Sequence, residues 1–66
     1  MNTSKLFMTL KEVLELTTLS KATLYRMSND HDFPKPVKIG KRRSVWQREL
    51  VELWVRVKIA EAEAGP

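Results

Sequence analysis

Apolar residues near the start of the chain recur at the spacing of a short helix. Thr9 and Glu12 have the spacing of a capping box, in which each side chain accepts a hydrogen bond from the other residue's backbone amide. The β-branched pair Thr17 and Thr18 disfavours helix, so the helix should end near Leu16 or Thr17. Its apolar face carries Leu10, Val13 and Leu14.

A second helix is predicted over residues 21–29, because Ser20 is a preferred N-cap residue. The turn-forming sequence Asn29-Asp30-His31-Asp32 should stop it. Leu24 should face inward, together with either Met27 or Ser28. Two short helices separated by three or four residues are typical of a helix-turn-helix.

The middle of the chain is predicted to be extended, because Pro34 and Pro36 exclude helix there. Apolar and polar residues alternate at 37–39, as in a half-buried strand, and residues 44–46 form the returning strand. Gly40 is expected to supply a positive φ at the turn, with 41–43 as the tip. A two-stranded hairpin is marginal alone, so it should lean on the helices. The alternation leaves open which face Trp46 uses.

A long helix is predicted from Gln47 to about Glu63. We expect its core stripe to be Leu50, Leu53, Trp54 and Val57. A second apolar stripe is centred roughly 150° away, and the two together are wider than a single packing face needs. The second stripe is therefore available to a partner protein or a second copy. That second stripe consists of Val51, Val55 and Ile59. The remaining large apolar residues assigned to the core are Leu19, Phe33 and Trp46.

Length and composition limit the possible classes of protein. A chain of 66 residues is expected to form one domain, with an ordered core at about 6–60 and frayed residues at 1–5 and at the C-terminal end. There is no cysteine and a single histidine, His31, so neither a disulfide framework nor a structural metal is expected. With no signal-peptide or membrane-spanning pattern, we expect a cytoplasmic protein.

The positive charge is concentrated in the centre of the chain. The net charge is +4, and the segment 20–44 holds seven basic and two acidic residues. A localised basic patch favours a polyanionic partner, although a solvated face that aids solubility is the plainer alternative. Catalysis is not expected, because His31 has no nucleophile beside it in sequence and only Gly40 and Gly65 could serve a phosphate loop. No cofactor is expected.

A helix-turn-helix presents the first turns of its second helix to the major groove of double-stranded DNA. The hairpin, as a wing, places cations on the phosphate backbone or in the minor groove. One alternative is that Tyr25 only packs between helices. Another is an aromatic platform for single-stranded nucleic acid, for which few aromatic residues are available. A third is an RNA-binding module, which would bind single strands at least as well as duplex. The predicted DNA-binding residues are Ser20, Lys21, Ala22, Thr23, Tyr25 and Arg26 on the helix, and Lys38, Lys41, Arg42, Arg43 and Ser44 on the wing.

Several motifs occur together in one order along the chain. They are Thr17-x-Leu19-Ser20, Thr23-x-Tyr25-Arg26, Phe33-Pro34, and Gly40 before Trp46. Over roughly residues 6–57 this pattern resembles the AlpA-type family of phage and prophage regulators and, more distantly, the excisionases and the DNA-binding domains of MerR regulators. The resemblance implies a mostly α winged helix-turn-helix that binds DNA near promoters or attachment sites. Some relatives activate an integrase gene, and others direct excision. Thr18 stands where the family usually has glycine, so either a left-handed backbone there is strained or the turn has a different shape.

Overall fold

The structure, a computed structural model, describes residues 6–65. The predicted fraying of residues 1–5 falls outside these residues, as does Pro66. The described elements, in chain order, are β1 (Phe7–Met8), α1 (Leu10–Thr17), α2 (Lys21–Asn29), β2 (Val37–Lys38), β3 (Ser44–Gln47) and α3 (Arg48–Ala64). The predicted helix-turn-helix, hairpin and long C-terminal helix are therefore all present.

Side-chain caps fix where the first two helices begin. At α1, the Thr9 backbone amide donates to Glu12 Oε1 at 2.8 Å, and the Glu12 amide donates to Thr9 Oγ1 at 3.2 Å. This is the predicted capping box. At α2, Ser20 Oγ accepts from the Thr23 amide at 3.2 Å. Both start sites were correctly predicted from local sequence.

The turn between α1 and α2 contains a strained residue. Thr18 has φ 62° and ψ 14°, the left-handed conformation, and its amide donates to the Leu14 carbonyl oxygen at 2.8 Å. Non-glycine residues avoid this region because Cβ crowds the backbone, and β-branched residues avoid it most. Of the two alternatives, the structure shows the left-handed backbone, with threonine in the place of glycine.

The sheet has three antiparallel strands in the order β1-β3-β2, rather than the predicted two. Met8 pairs with Trp46, and Val37 pairs with Val45. The prediction omitted β1 because two residues are too few to show alternation. The extra strand makes β3 central and ties the start of the chain to the hairpin, which is the wing of the fold.

The prediction that Gly40 adopts a positive φ was wrong, since no glycine of residues 6–65 has one. The tip at 39–43 is closed instead by the Ile39 amide, which donates to the Arg43 carbonyl oxygen at 3.0 Å. A Cβ built on Gly40 would meet Arg43 Cβ at 3.9 Å, an ordinary contact. The wing therefore does not depend on glycine at this position.

Trp46 lies at the centre of the core and is fully buried, which settles the face that the alternation left open. Its Nε1 donates to the Pro34 carbonyl oxygen at 3.1 Å, and Ser28 Oγ donates to the same oxygen at 3.2 Å. Ser28, rather than Met27, is thus the buried partner of Leu24 in α2. The core cluster comprises Met8, Val13, Leu24, Phe33, Trp46 and Val51, with Leu19 and Trp54 partly buried against it.

Most residues of the two α3 stripes were assigned to the wrong faces, although Trp54 packs against the core and Ile59 is exposed, as predicted. Val51 is 0% exposed and belongs to the core, whereas Leu53 is 56% exposed. Leu50 and Val57, which were also predicted to lie in the core, are exposed as well. The proposed contact surface of Val51, Val55 and Ile59 therefore does not exist as a continuous exposed stripe. Which of the two apolar faces of α3 is buried depends on where the sheet lies. Local sequence does not contain that information.

Every residue from 56 to 65 is exposed, so α3 packs on the domain by its first half only. Within the described residues, no helix is both long enough and apolar enough to span a bilayer. Three helices around a small antiparallel sheet, with a hairpin following the helix pair, make a winged helix-turn-helix.

Candidate nucleic-acid interface

On α2, Lys21 and Ala22 are exposed in the first turn, and Arg26 is exposed in the last turn. Ser20 and Thr23 are partly occupied by the cap. Ser20 Oγ donates to Thr23 Oγ1 at 2.8 Å while accepting from the Thr23 amide. Thr23 is half-buried. The two exposed cations are therefore the side chains of this helix that are freest to reach a ligand.

Tyr25 packs against the core and keeps part of its surface in solvent. Its ring lies 6.0 Å from that of Trp46 at 56°, a tilted aromatic contact with the core. Tyr25 is half-buried and also borders a surface depression. The residue packs between elements and still has a solvent-facing side.

The wing carries exposed cations on both sides of its turn. Lys38 ends β2, and Lys41, Arg42 and Arg43 form the tip; all four are exposed. Ser44, the first residue of β3, is half-buried. Since β3 is held on both sides by neighbouring strands, the tip projects from a supported base.

One depression joins α1, α2 and the wing. It is lined by Thr9, Leu10, Lys11, Lys21, Tyr25, Arg42, Arg43 and Ser44. Five of the predicted DNA-binding residues, from the helix and the wing, thus border the same concave surface. The other six do not line it: Ser20, Ala22, Thr23, Arg26, Lys38 and Lys41.

Lys11 was not predicted from the sequence as a site residue. It is the second residue of α1, in the turn that the Thr9–Glu12 capping box holds. The pairing of Met8 with Trp46 brings this turn beside β3 and the wing. No local signal marks Lys11, because its position depends on a strand pairing between distant parts of the chain.

The depression is positively charged and unneutralised. Four cations line it, and no carboxylate does. In the described part of the chain, the ion pair found is between Lys58 and Glu61 on α3, away from these cations. Unpaired Lys and Arg beside hydroxyl groups suit phosphate oxygens, which take charge-assisted hydrogen bonds from both. Among residues 6–65 there is no group of three or more potential metal ligands.

Comparisons with known proteins identify the family. The family model for the prophage CP4-57 regulatory protein, AlpA, matches residues 6–59. The chain is also 30% identical over 63 residues to the uncharacterized protein ORF88 of Enterobacteria phage P4. That alignment covers 96% of this chain and 72% of the phage protein. The match to the family model includes both helices of the helix-turn-helix, the wing and most of α3, and this chain belongs to the AlpA family of phage regulatory proteins.

Proposed function

We propose that this chain is a sequence-specific, double-stranded DNA-binding protein that acts in the cytoplasm as a single winged helix-turn-helix domain, without enzymatic activity. Its role is that of a prophage or genomic-island regulator, either of transcription or, as an excisionase-like factor, of the direction of recombination. α2 enters the major groove, and the wing follows the neighbouring phosphate backbone.

The observation that supports this proposal most is the depression that cations from α1, α2 and the wing share. Cations that only aid solubility would be spread over the surface among carboxylates. Here cations from three elements line one concave surface that no carboxylate lines. A duplex offers phosphates on both sides of its major groove, so a ligand of that shape engages a helix and a flanking hairpin together.

Within this interface the proposed roles differ. Lys21 and Arg26 are exposed on α2 and read base edges, for which guanine O6 and N7 are suitable acceptors. Lys11, Arg42 and Arg43 bind phosphates, and the Tyr25 and Ser44 hydroxyls add neutral hydrogen bonds. Lys38 and Lys41 extend the phosphate contacts along the wing, and Ser20, Ala22 and Thr23 complete the α2 surface.

The test is the salt dependence of duplex binding, measured by fluorescence anisotropy on genomic fragments that flank the gene. Each phosphate contact contributes about −0.9 to the slope of log affinity against log salt concentration. Replacing Arg42 and Arg43 together with alanine should weaken binding to every duplex and flatten the slope by roughly 2. The matched control, Lys35→Ala with Lys58→Ala, removes the same charge from residues that do not line the depression.

Equal loss in the control and the test variant would mean that only net charge matters, which contradicts the proposed interface. Binding to a single strand that equals binding to duplex would contradict the choice of double-stranded DNA. A slope near zero for the unaltered protein would argue against phosphate contacts altogether.

A further inference from the structure

The exposed side of α3 carries a regular apolar seam that the DNA interface does not use. Its residues follow one another at alternating spacings of three and four: Leu50, Leu53, Val57, Ala60 and Ala64. At about 100° per residue they fall within an arc of about 80°. All five are exposed in the single chain. This is the 3.5-residue repeat by which helices pack on one another in coiled coils.

The position of the seam leaves it accessible. The core-facing side of α3 is marked by the buried Val51, which lies well away from the seam around the helix axis. The helix from Arg56 onward is exposed throughout residues 56–65, although Val57 borders a shallow groove with residues 31–35. Because these residues are exposed, the second half of α3 can lie along another helix.

The size gradient along the seam indicates which helix that is. Side-chain volume falls from leucine at the N-terminal end, through valine, to alanine at the C-terminal end. A second copy running antiparallel matches large residues to small ones: Leu53 meets the partner's Ala64, and Val57 meets the partner's Ala60. Parallel pairing instead sets alanine against alanine and leaves a gap, which loses contact energy.

Charges beside the seam select the register. In the antiparallel arrangement just described, Arg56 lies beside the partner's Glu63, and the same pair forms a second time by symmetry. Sliding the helices until Leu53 meets the partner's Val57 brings Arg56 against the partner's Arg56, which is repulsive. The chain is thus complementary to itself, in volume and in charge, in one alignment.

We propose that α3 is a homotypic docking surface that pairs two copies of this chain antiparallel through Leu53, Val57, Ala60 and Ala64, with Arg56–Glu63 pairs at its edges. Four layers make a short seam, so the complex belongs to the small, transient class of interfaces. This inference does not depend on DNA binding, because no seam residue lines the cationic depression.

Cysteine cross-linking tests the alignment directly, since the chain has no cysteine of its own. Val57→Cys and Ala60→Cys proteins are mixed and oxidised at high concentration, and the disulfide-linked species are separated by mass. Random pairing of equal amounts gives the mixed and the two same-residue species in the ratio 2:1:1, and the mixed species should clearly exceed that proportion. The control is Ile59→Cys, which is also exposed, at 52%, but lies off the seam. Cross-linking no greater than in the Ile59→Cys control overturns the docking surface. Predominant same-residue dimers overturn the antiparallel direction.

A charge swap tests the register separately. Arg56→Glu alone or Glu63→Arg alone should weaken self-association, measured by sedimentation, by roughly five- to twentyfold, because two symmetric pairs become repulsive. The double variant should restore it, and circular dichroism checks that helix content is unchanged in all three. Failure of the double variant to recover the affinity overturns the Arg56–Glu63 register.

Discussion

Thr18 ends α1 in a left-handed conformation, with φ 62°, and replacing it with glycine tests how much strain the helix-turn-helix stores. An L-residue in this conformation is disfavoured by about 1–2 kcal/mol, because Cβ crowds the backbone. A β-branched side chain lies at the upper end of this range. Glycine removes the cause entirely, so Thr18→Gly should release that energy in the folded state.

Two smaller effects oppose this gain. Glycine loses more backbone freedom on folding, which costs roughly 0.5–1 kcal/mol. The hydrogen bond from Thr18 Oγ1 to the Thr17 carbonyl oxygen is lost, but it is exposed, and water replaces it. The net expectation is a stabilisation of about 0.5–1 kcal/mol, or about 2–8 °C in Tm for a domain of this size.

Equilibrium urea unfolding, followed by tryptophan fluorescence, measures the difference, with calorimetry for Tm. Thr18→Ala is the matched control, because it removes the hydroxyl and the branch but keeps Cβ. It should be clearly less stable than Thr18→Gly, while Thr18→Asn, which tolerates the left-handed region, should lie between them. If the alanine variant equals or exceeds the glycine variant in stability, the backbone at Thr18 is not strained, and the reasoning is refuted.

Three further predictions concern the interface, the wing and the core. Arg26→Ala should reduce discrimination between cognate and random duplexes by about 1–3 kcal/mol, seen in competition binding, and leave the salt slope less affected than the wing variant does. Gly40→Ala should retain duplex affinity and change the free energy of unfolding by no more than about 1 kcal/mol, because its φ is negative and its Cβ has room; a large loss of stability would show that the tip has a different conformation. Leu24→Ala should destabilise the domain by about 2–5 kcal/mol in urea unfolding, since Leu24 is fully buried. A smaller loss would indicate that the core collapses around the site.

The parts of the fold that were predicted correctly are those that neighbouring residues determine. The capping box at Thr9 and the N-cap at Ser20 fixed two helix starts, because the groups that hydrogen-bond there are three residues apart. A left-handed backbone at Thr18 was one of two alternatives, and it came from the family resemblance rather than from local sequence. The wing tip was placed correctly at 41–43, although its turn does not use Gly40 as expected.

The parts that were missed depend on contacts between distant residues. β1 has two residues and exists only because β3 offers an edge for pairing. The buried face of α3 follows from where the sheet lies, so the burial of Val51 and the exposure of Leu53 could not be distinguished by periodicity. Lys11 was missed for the same reason, because its place in the cationic depression depends on the pairing of β1 with β3. Sequence therefore located the cations of α2 and the wing, but the third side of the surface needed the fold.

The junction between β3 and α3 has a mechanical consequence. Gln47 is the last residue of the strand and Arg48 the first of the helix, and the Arg48 amide donates to the Leu6 carbonyl oxygen at 2.8 Å. Because no linker separates the strand from the helix, the orientation of α3 is coupled rigidly to that of the hairpin. A single residue inserted here would turn the whole of α3 by about 100° around its axis. The fold should therefore tolerate changes of length in the 39–43 tip. It should not tolerate them at the junction of β3 and α3.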